Sequence, residues 1–149
     1  MIVLNDRRGP GSRLGIKNIA VSPGGVFVVE AKRFKGLVHT RRSGPMSNLG
    51  PGELHVGRRD CTACLDRVTS QVDVVRGALE RMSGGSEVPV HAMLCLTRAE
   101  WVVASPIEIR GVCVAWPQLI AERVHAGSLM DSPTVREVSI TIAEHLRTG

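Results

Sequence analysis

The 149-residue chain has no tyrosine and only two phenylalanines and two tryptophans, so its core has to be assembled from Val, Leu, Ile and Ala. Apolar residues still make up 43% of it, enough for a single domain of this length to bury a core. No apolar run approaches the roughly 20 residues that a membrane-spanning helix needs. The N-terminus also lacks the charged-then-apolar layout of a signal peptide. The expected location is the cytoplasm, with no membrane attachment.

Familiar catalytic motifs are equally scarce. His39, His55, His91, His125 and His145 form neither an H-x₃-H nor an HExxH pairing and are read as non-ligands. Ser12 and Ser43 lie outside any G-x-S-x-G elbow, which leaves nucleophilic serine catalysis without support. Gly24-Gly25 is a turn, because no phosphate-loop Gly-Lys-Ser/Thr follows it. Cys61-Thr62-Ala63-Cys64 has the spacing of a zinc or redox pair, but a second CxxC or a spaced His pair is missing. Cys95 and Cys113 sit in apolar, strand-like runs. Packed free thiols are the default reading, with a structural zinc or redox pair at Cys61 and Cys64 as the alternative.

Positive charge is present but unevenly placed. Residues 1–67 hold 12 Lys and Arg against 5 Asp and Glu, whereas residues 68–149 hold 7 against 9. A basic half suits an anionic polymer such as DNA, with Arg33, Lys35, Arg41, Arg42, Arg58 and Arg59 as candidate phosphate contacts. The alternative is a solvated arginine-rich surface.

The first third reads as strands at Ile2–Leu4, Ile16–Val21 and Val26–Ala31, separated by turn chemistry at 7–12 and at Ser22-Pro23-Gly24-Gly25. Residues 37–57, rich in Gly, Pro, Ser and Arg, read as a mobile basic loop. Cys64, Val68, Val72, Val75, Leu79 and Met82 then mark one face of a helix with Asp60 as N-cap and Ser83-Gly84-Gly85 as its end. Val88–Leu96 and Val112–Trp116 are apolar enough for buried strands, and the intervening helix permits a parallel crossover. Pro117 opens a short helix to about His125, and Ser132-Pro133 caps a last one. The expected fold is one domain over 1–149, a mixed sheet flanked by helices in the order βββ-α-β-β-α-α, within the α/β or α+β class.

Glu30-Ala31-Lys32 closes the third strand. Residues i and i+2 of a strand share a face, so a carboxylate and an ammonium stand side by side where the sheet opens to solvent. That pairing suits phosphodiester cleavage, the carboxylate holding a divalent cation and the ammonium neutralising charge that builds on phosphorus. The bland alternative is a surface ion pair.

The residues 7–13, Arg-Arg-Gly-Pro-Gly-Ser-Arg, and 19–36, from Ile-Ala-Val-Ser-Pro-Gly-Gly through Val-Val-Glu-Ala-Lys-Arg-Phe-Lys-Gly, resemble the nuclease-related domain, NERD. So do Val88-Pro89-Val90, Gly111-Val112-Cys113-Val114 and the Trp116-Pro117 step. That family is placed among the PD-(D/E)xK nucleases, whose core is a mixed sheet flanked by helices. The resemblance implies a Mg²⁺- or Mn²⁺-dependent DNA endonuclease. In it Glu30 and the Ala31 carbonyl ligate the metal, and Lys32 is catalytic. Gln71, at the edge of the helix's apolar stripe, corresponds to a glutamine placed near the site. Many nucleases of this type dimerise, and a homodimer through an exposed strand edge is compatible with the resemblance but not required by it.

Two departures stand against the pattern. The family shows an acidic residue followed by His after the isoleucine of the second strand, where this chain has Ile16-Lys17-Asn18. A protonated lysine cannot ligate Mg²⁺, and an ammonium beside Glu30 is expected to take the cation's electrostatic place. The family also begins with a glutamate-bearing helix, whereas the first strand comes almost at once here; Asp6 near its end is a candidate substitute ligand, with a turn or surface residue as the more usual reading. Two readings follow: a metal-dependent nuclease or its weakened descendant, and an inactive nucleic-acid-binding or partner-binding domain on the same scaffold.

Overall fold

The computed structural model describes residues 1–42, 52–102 and 104–149. The chain forms a mixed α+β structure around a seven-stranded sheet. Strands β1 (Ile2–Arg8), β2 (Gly15–Ser22) and β3 (Gly25–Lys32) make an antiparallel meander. After β3 come β4 (Gly36–Arg41), β5 (Glu53–Val56), β6 (Arg59–Asp60) and the helix α1 (Thr62–Leu79). The chain then returns as β7 (Val90–Leu96), followed by β8 (Ala99–Glu100), β9 (Ile107–Ile109) and β10 (Val112–Ala115). Helices α2 (Pro117–His125) and α3 (Ser132–His145) and the short β11 (Arg147–Thr148) complete it.

The large sheet runs β11-β1-β2-β3-β7-β10-β9. β3 lies parallel to β7, with Glu30 opposite Leu94 and Lys32 opposite Leu96, and β7 lies parallel to β10. The expected crossover through α1 is present, because a parallel return needs a connection long enough to recross the sheet face. Alternation along β3 divides its residues between two layers. Val26 and Val28 pack with Ile19, Val75, Val138 and Ile142 on the α1 and α3 side, and Phe27 packs with Met93, Cys113, Ile120 and Val124 under α2. No described helix is long and apolar enough to cross a membrane.

The stretch read as a loop is corrected at both ends. β4 and β5 pair antiparallel, Val38 opposite Val56 and His39 opposite His55, and join β6 and β8 in a second sheet of four strands. Val38, Leu54 and Val56 are buried against Leu65, Val68 and Leu94. Their apolar signal is only two or three residues long per strand, too brief to show among the surrounding Arg, His and Gly. Residues 43–51 of that stretch lie outside the described residues. A glycine contact inside the second sheet packs the start of β4 against the β5–β6 turn. Gly36 has φ +129°, and a Cβ there would come within 2.8 Å of Gly57, whose N–H donates to the Leu37 carbonyl at 2.8 Å.

Helix α1 also differs from its expected frame. Its buried residues are Leu65, Val68, Gln71, Val75, Ala78 and Leu79, so the buried face includes Gln71 rather than passing beside it. The helix ends before Met82. Cys61 takes the N-cap position, while Asp60 supplies the cap's chemistry by accepting the Thr62 N–H at 2.9 Å. Strand β1 likewise runs on through Arg7 and Arg8, which were read as a break.

Candidate functional site

The end of β3 places Glu30 and Lys32 on the face that α1 covers, and α1 brings Arg67 and Gln71 down onto them. These two are four residues apart, one helical turn, and therefore share a side of the helix. Gln71 is fully buried and Glu30 is 6% exposed. The Gln71 Nε2 donates to Glu30 Oε2 at 3.1 Å and to the Gly15 carbonyl at 3.0 Å. With two acceptors on one side, the amide can only turn its nitrogen toward them, so its orientation is fixed by the network. The Gln71 Oε1 is consequently left buried without a protein donor.

The other carboxylate oxygen faces two cations. Lys32 Nζ lies 3.5 Å and Arg67 Nε 3.6 Å from Glu30 Oε1. Arg67 also donates from Nη2 to the Gly15 carbonyl at 3.4 Å, tying the start of β2 to the helix. The Lys32 and Arg67 side chains are 33% and 45% exposed. Each ion pair on its own contributes no more than about 1 kcal/mol. Their weight is electrostatic: a single negative charge is met by two positive ones.

Sequence reasoning thus names three of the four residues at this point and misses Arg67. Position 67 is one turn before Gln71, so any reading that puts Gln71 in the site puts residue 67 beside it. The cation expected to face Glu30, Lys17, is exposed and makes no ion pair with Glu30 within 4.0 Å. Arg67 occupies that role instead. Ala31 sits in the β3–β7 ladder opposite Cys95, with its side chain on the reverse face from Glu30.

Arg67 and Gly15 also border a cavity of about 280 Å³ whose other charged lining is Arg7, Arg8, Arg13, Lys17 and Asp6. The Arg7 Nε is buried without a partner, while its Nη1 donates to the Leu146 carbonyl at 3.4 Å. Five basic side chains against one exposed acid make this a local well for anions. Asp6, read as a substitute ligand, lies in this basic lining with φ +51°.

The six basic residues read as phosphate contacts divide into two places. Arg33 and Lys35 are exposed just past β3, close to exposed Arg58 and Arg59 at the β5–β6 turn, and the Arg59 guanidinium stacks 4.3 Å over the Phe34 ring. Arg41 ends β4 opposite Glu53, with Arg42 next to it. Between the first group and the basic cavity lies half-buried Cys64. Burial pushes its thiol up, against the pull of Lys32, and Cys61 is pushed up by burial as well. All four cysteines are free thiols, and Cys95 and Cys113 are buried as expected.

A divalent cation is implied by the family resemblance, and these residues do not fit one. Glu30 is the sole carboxylate of the arrangement, and both its oxygens are engaged. A Mg²⁺ bonded at about 2.1 Å would face an ammonium and a guanidinium already in contact with the same oxygen. Among the described residues, no group of three metal-ligating side chains includes Glu30. The orphan Gln71 Oε1 is a neutral amide acceptor, not a carboxylate ligand. Comparison of the chain with family models, curated proteins and solved structures gave no match, so the chemistry rests on this geometry.

Proposed function

We propose that the chain is a nucleic-acid-binding domain on a nuclease-like scaffold, in which Arg67 and Lys32 stand where a catalytic cation would. The observation that carries this reading is the pair of positive groups on Glu30 Oε1, at 3.5 and 3.6 Å, with no second carboxylate grouped with it among the described residues. The cavity lined by Arg7, Arg8, Arg13, Lys17 and Arg67 takes the phosphodiester backbone, because guanidinium forks match phosphate oxygens. Arg33, Lys35, Arg58 and Arg59 extend the same positive surface past Lys32.

The second reading, an active Mg²⁺- or Mn²⁺-dependent endonuclease, is supported by the meeting of Glu30, Lys32 and Gln71 and opposed by the two cations on Glu30 Oε1. One experiment separates the two. Binding of a labelled DNA duplex is followed by anisotropy over a salt series in EDTA, and the same DNA is then incubated with Mg²⁺ or Mn²⁺. The proposal expects salt-sensitive binding in EDTA and intact DNA. Cleavage that disappears in Glu30→Gln supports the nuclease reading instead.

A reducing compartment such as the cytoplasm suits four unpaired thiols. A dimer built through a sheet edge has little to work with, since the edge strands β11 and β9 are two and three residues long.

A further inference from the structure

The second sheet carries a separate constellation. Across three neighbouring strands the register aligns His39 with His55 and His55 with Asp60, on the side opposite the buried Val38, Leu54 and Val56. Glu53 shares that side with His55, two residues away along β5. His55 is only 8% exposed although it points away from the core. His39 stacks on it, with ring centroids 5.3 Å apart and planes 14° from parallel, and so sets the plane of the imidazole. His39 Nε2 itself lies 3.1 Å from the Gly57 carbonyl, which makes it a packing partner.

We propose that Glu53, His55 and Asp60 form a site for a borderline divalent cation of the Zn²⁺ class, distinct from the Glu30 centre. One donor atom from each lies within 4.8 Å of the others. A tetrahedral Zn²⁺ with bonds of about 2.1 Å sets its donors about 3.4 Å apart, a difference that rotation of the two accessible acids closes around the imidazole. The His55 Nε2 already points at Glu53 Oε1, 3.2 Å away. Asp60 is held by the Thr62 N–H, the kind of outer hydrogen bond that orients a metal-binding carboxylate.

A second, independent observation is electrostatic. This half of the chain has more than twice as many Lys and Arg as Asp and Glu, yet among the described residues neither Glu53 nor Asp60 has a Lys or Arg nitrogen within 4.0 Å. Two carboxylates lie around one imidazole without a salt-bridging cation, Arg41 standing opposite Glu53 in the ladder but beyond that distance. One nitrogen and two carboxylate donors favour Zn²⁺, Co²⁺ or Ni²⁺ over Mg²⁺, which takes oxygen ligands and dehydrates reluctantly.

The test is a Co²⁺ titration of the reduced, metal-stripped full chain, read by visible and near-ultraviolet absorption and followed by Zn²⁺ displacement. The expected result is one ion per chain without thiolate charge-transfer bands. Affinity falls at least about tenfold in His55→Ala and in Glu53→Gln, and is unchanged in Glu30→Gln and in Cys61→Ser/Cys64→Ser. Glu53 is accessible, so Glu53→Gln keeps the fold and serves if His55→Ala does not. Absence of saturable binding overturns the proposal. So does binding that survives Glu53→Gln, or a thiolate signature lost in the double serine variant. None of these outcomes depends on DNA binding, so the two proposals stand or fall apart.

Discussion

The Gln71 amide meets the Glu30 carboxylate at 3.1 Å inside the protein, and the same nitrogen holds the Gly15 carbonyl at 3.0 Å. One side chain therefore joins α1, β2 and β3 where the candidate site forms. Gln71→Leu removes the donor from both and leaves a buried charge partly unsatisfied. The expected cost is about 2–3 kcal/mol, measured by urea unfolding. A cost under about 0.5 kcal/mol would mean that the network carries no weight.

Arg67→Ala should weaken duplex DNA binding and make the salt dependence shallower by about one phosphate's worth, near 0.9 in the slope of log K against log salt. A fluorescence anisotropy series at several salt concentrations reads this directly. An unchanged slope would show that Arg67 does not touch phosphate.

Glu30→Gln removes the one negative charge among these cations and frees Lys32 and Arg67 for phosphate. DNA binding is expected to tighten about two- to fivefold at low salt, the effect of one partly exposed charge. Weaker binding in this variant would contradict the arrangement.

Lys17→Asp alone should not create a metal site, because Arg67 and Lys32 still face Glu30. Lys17→Asp combined with Arg67→Ala lowers the local charge and supplies a second carboxylate. Calorimetric titration with Mn²⁺, run in a Glu53→Gln background so that the second-sheet acids do not contribute, should give heat only for the double variant. Tight binding by the single variant would show that Lys17, not Arg67, holds the cation's place.

Much of the main frame was legible in the amino-acid order. The Pro23-Gly24-Gly25 turn, the apolar run into Glu30 and the Pro117 helix start each carry a strong local signal, and β3, the parallel β7 and α2 follow from them. Glu30, Lys32 and Gln71, singled out from the sequence, do meet in space. Arg67 was not, because an arginine on a helix carries no mark of its neighbour across the sheet. The β4–β5 pairing was missed because Val38 and Leu54–Val56 are short apolar pieces far apart in sequence, joined only by tertiary contact. With it went the meeting of His39, His55 and Asp60, which exists only once the register is known.

The thiols give a prediction against alkali. Burial pushes Cys113 up to about 11, with Glu108 adding to the effect. A raised thiol value stabilises the fold fully below its ordinary 9.0, and that contribution is lost as pH climbs through 11. Thermal melts should fall between those limits, and less so in Cys113→Ala relative to its own stability at pH 7. At pH 8, iodoacetamide should label half-buried Cys64 before Cys61, Cys95 and Cys113. Early labelling of Cys113 would contradict its burial.

The most direct test of the central claim compares duplex DNA binding by the wild-type chain in EDTA and in Mg²⁺ at matched ionic strength, with the DNA recovered and sized afterwards. If Arg67 and Lys32 hold the cation's place, the affinities agree within about twofold and the DNA is intact. Binding that requires the metal, accompanied by cleavage that Glu30→Gln abolishes, would contradict it.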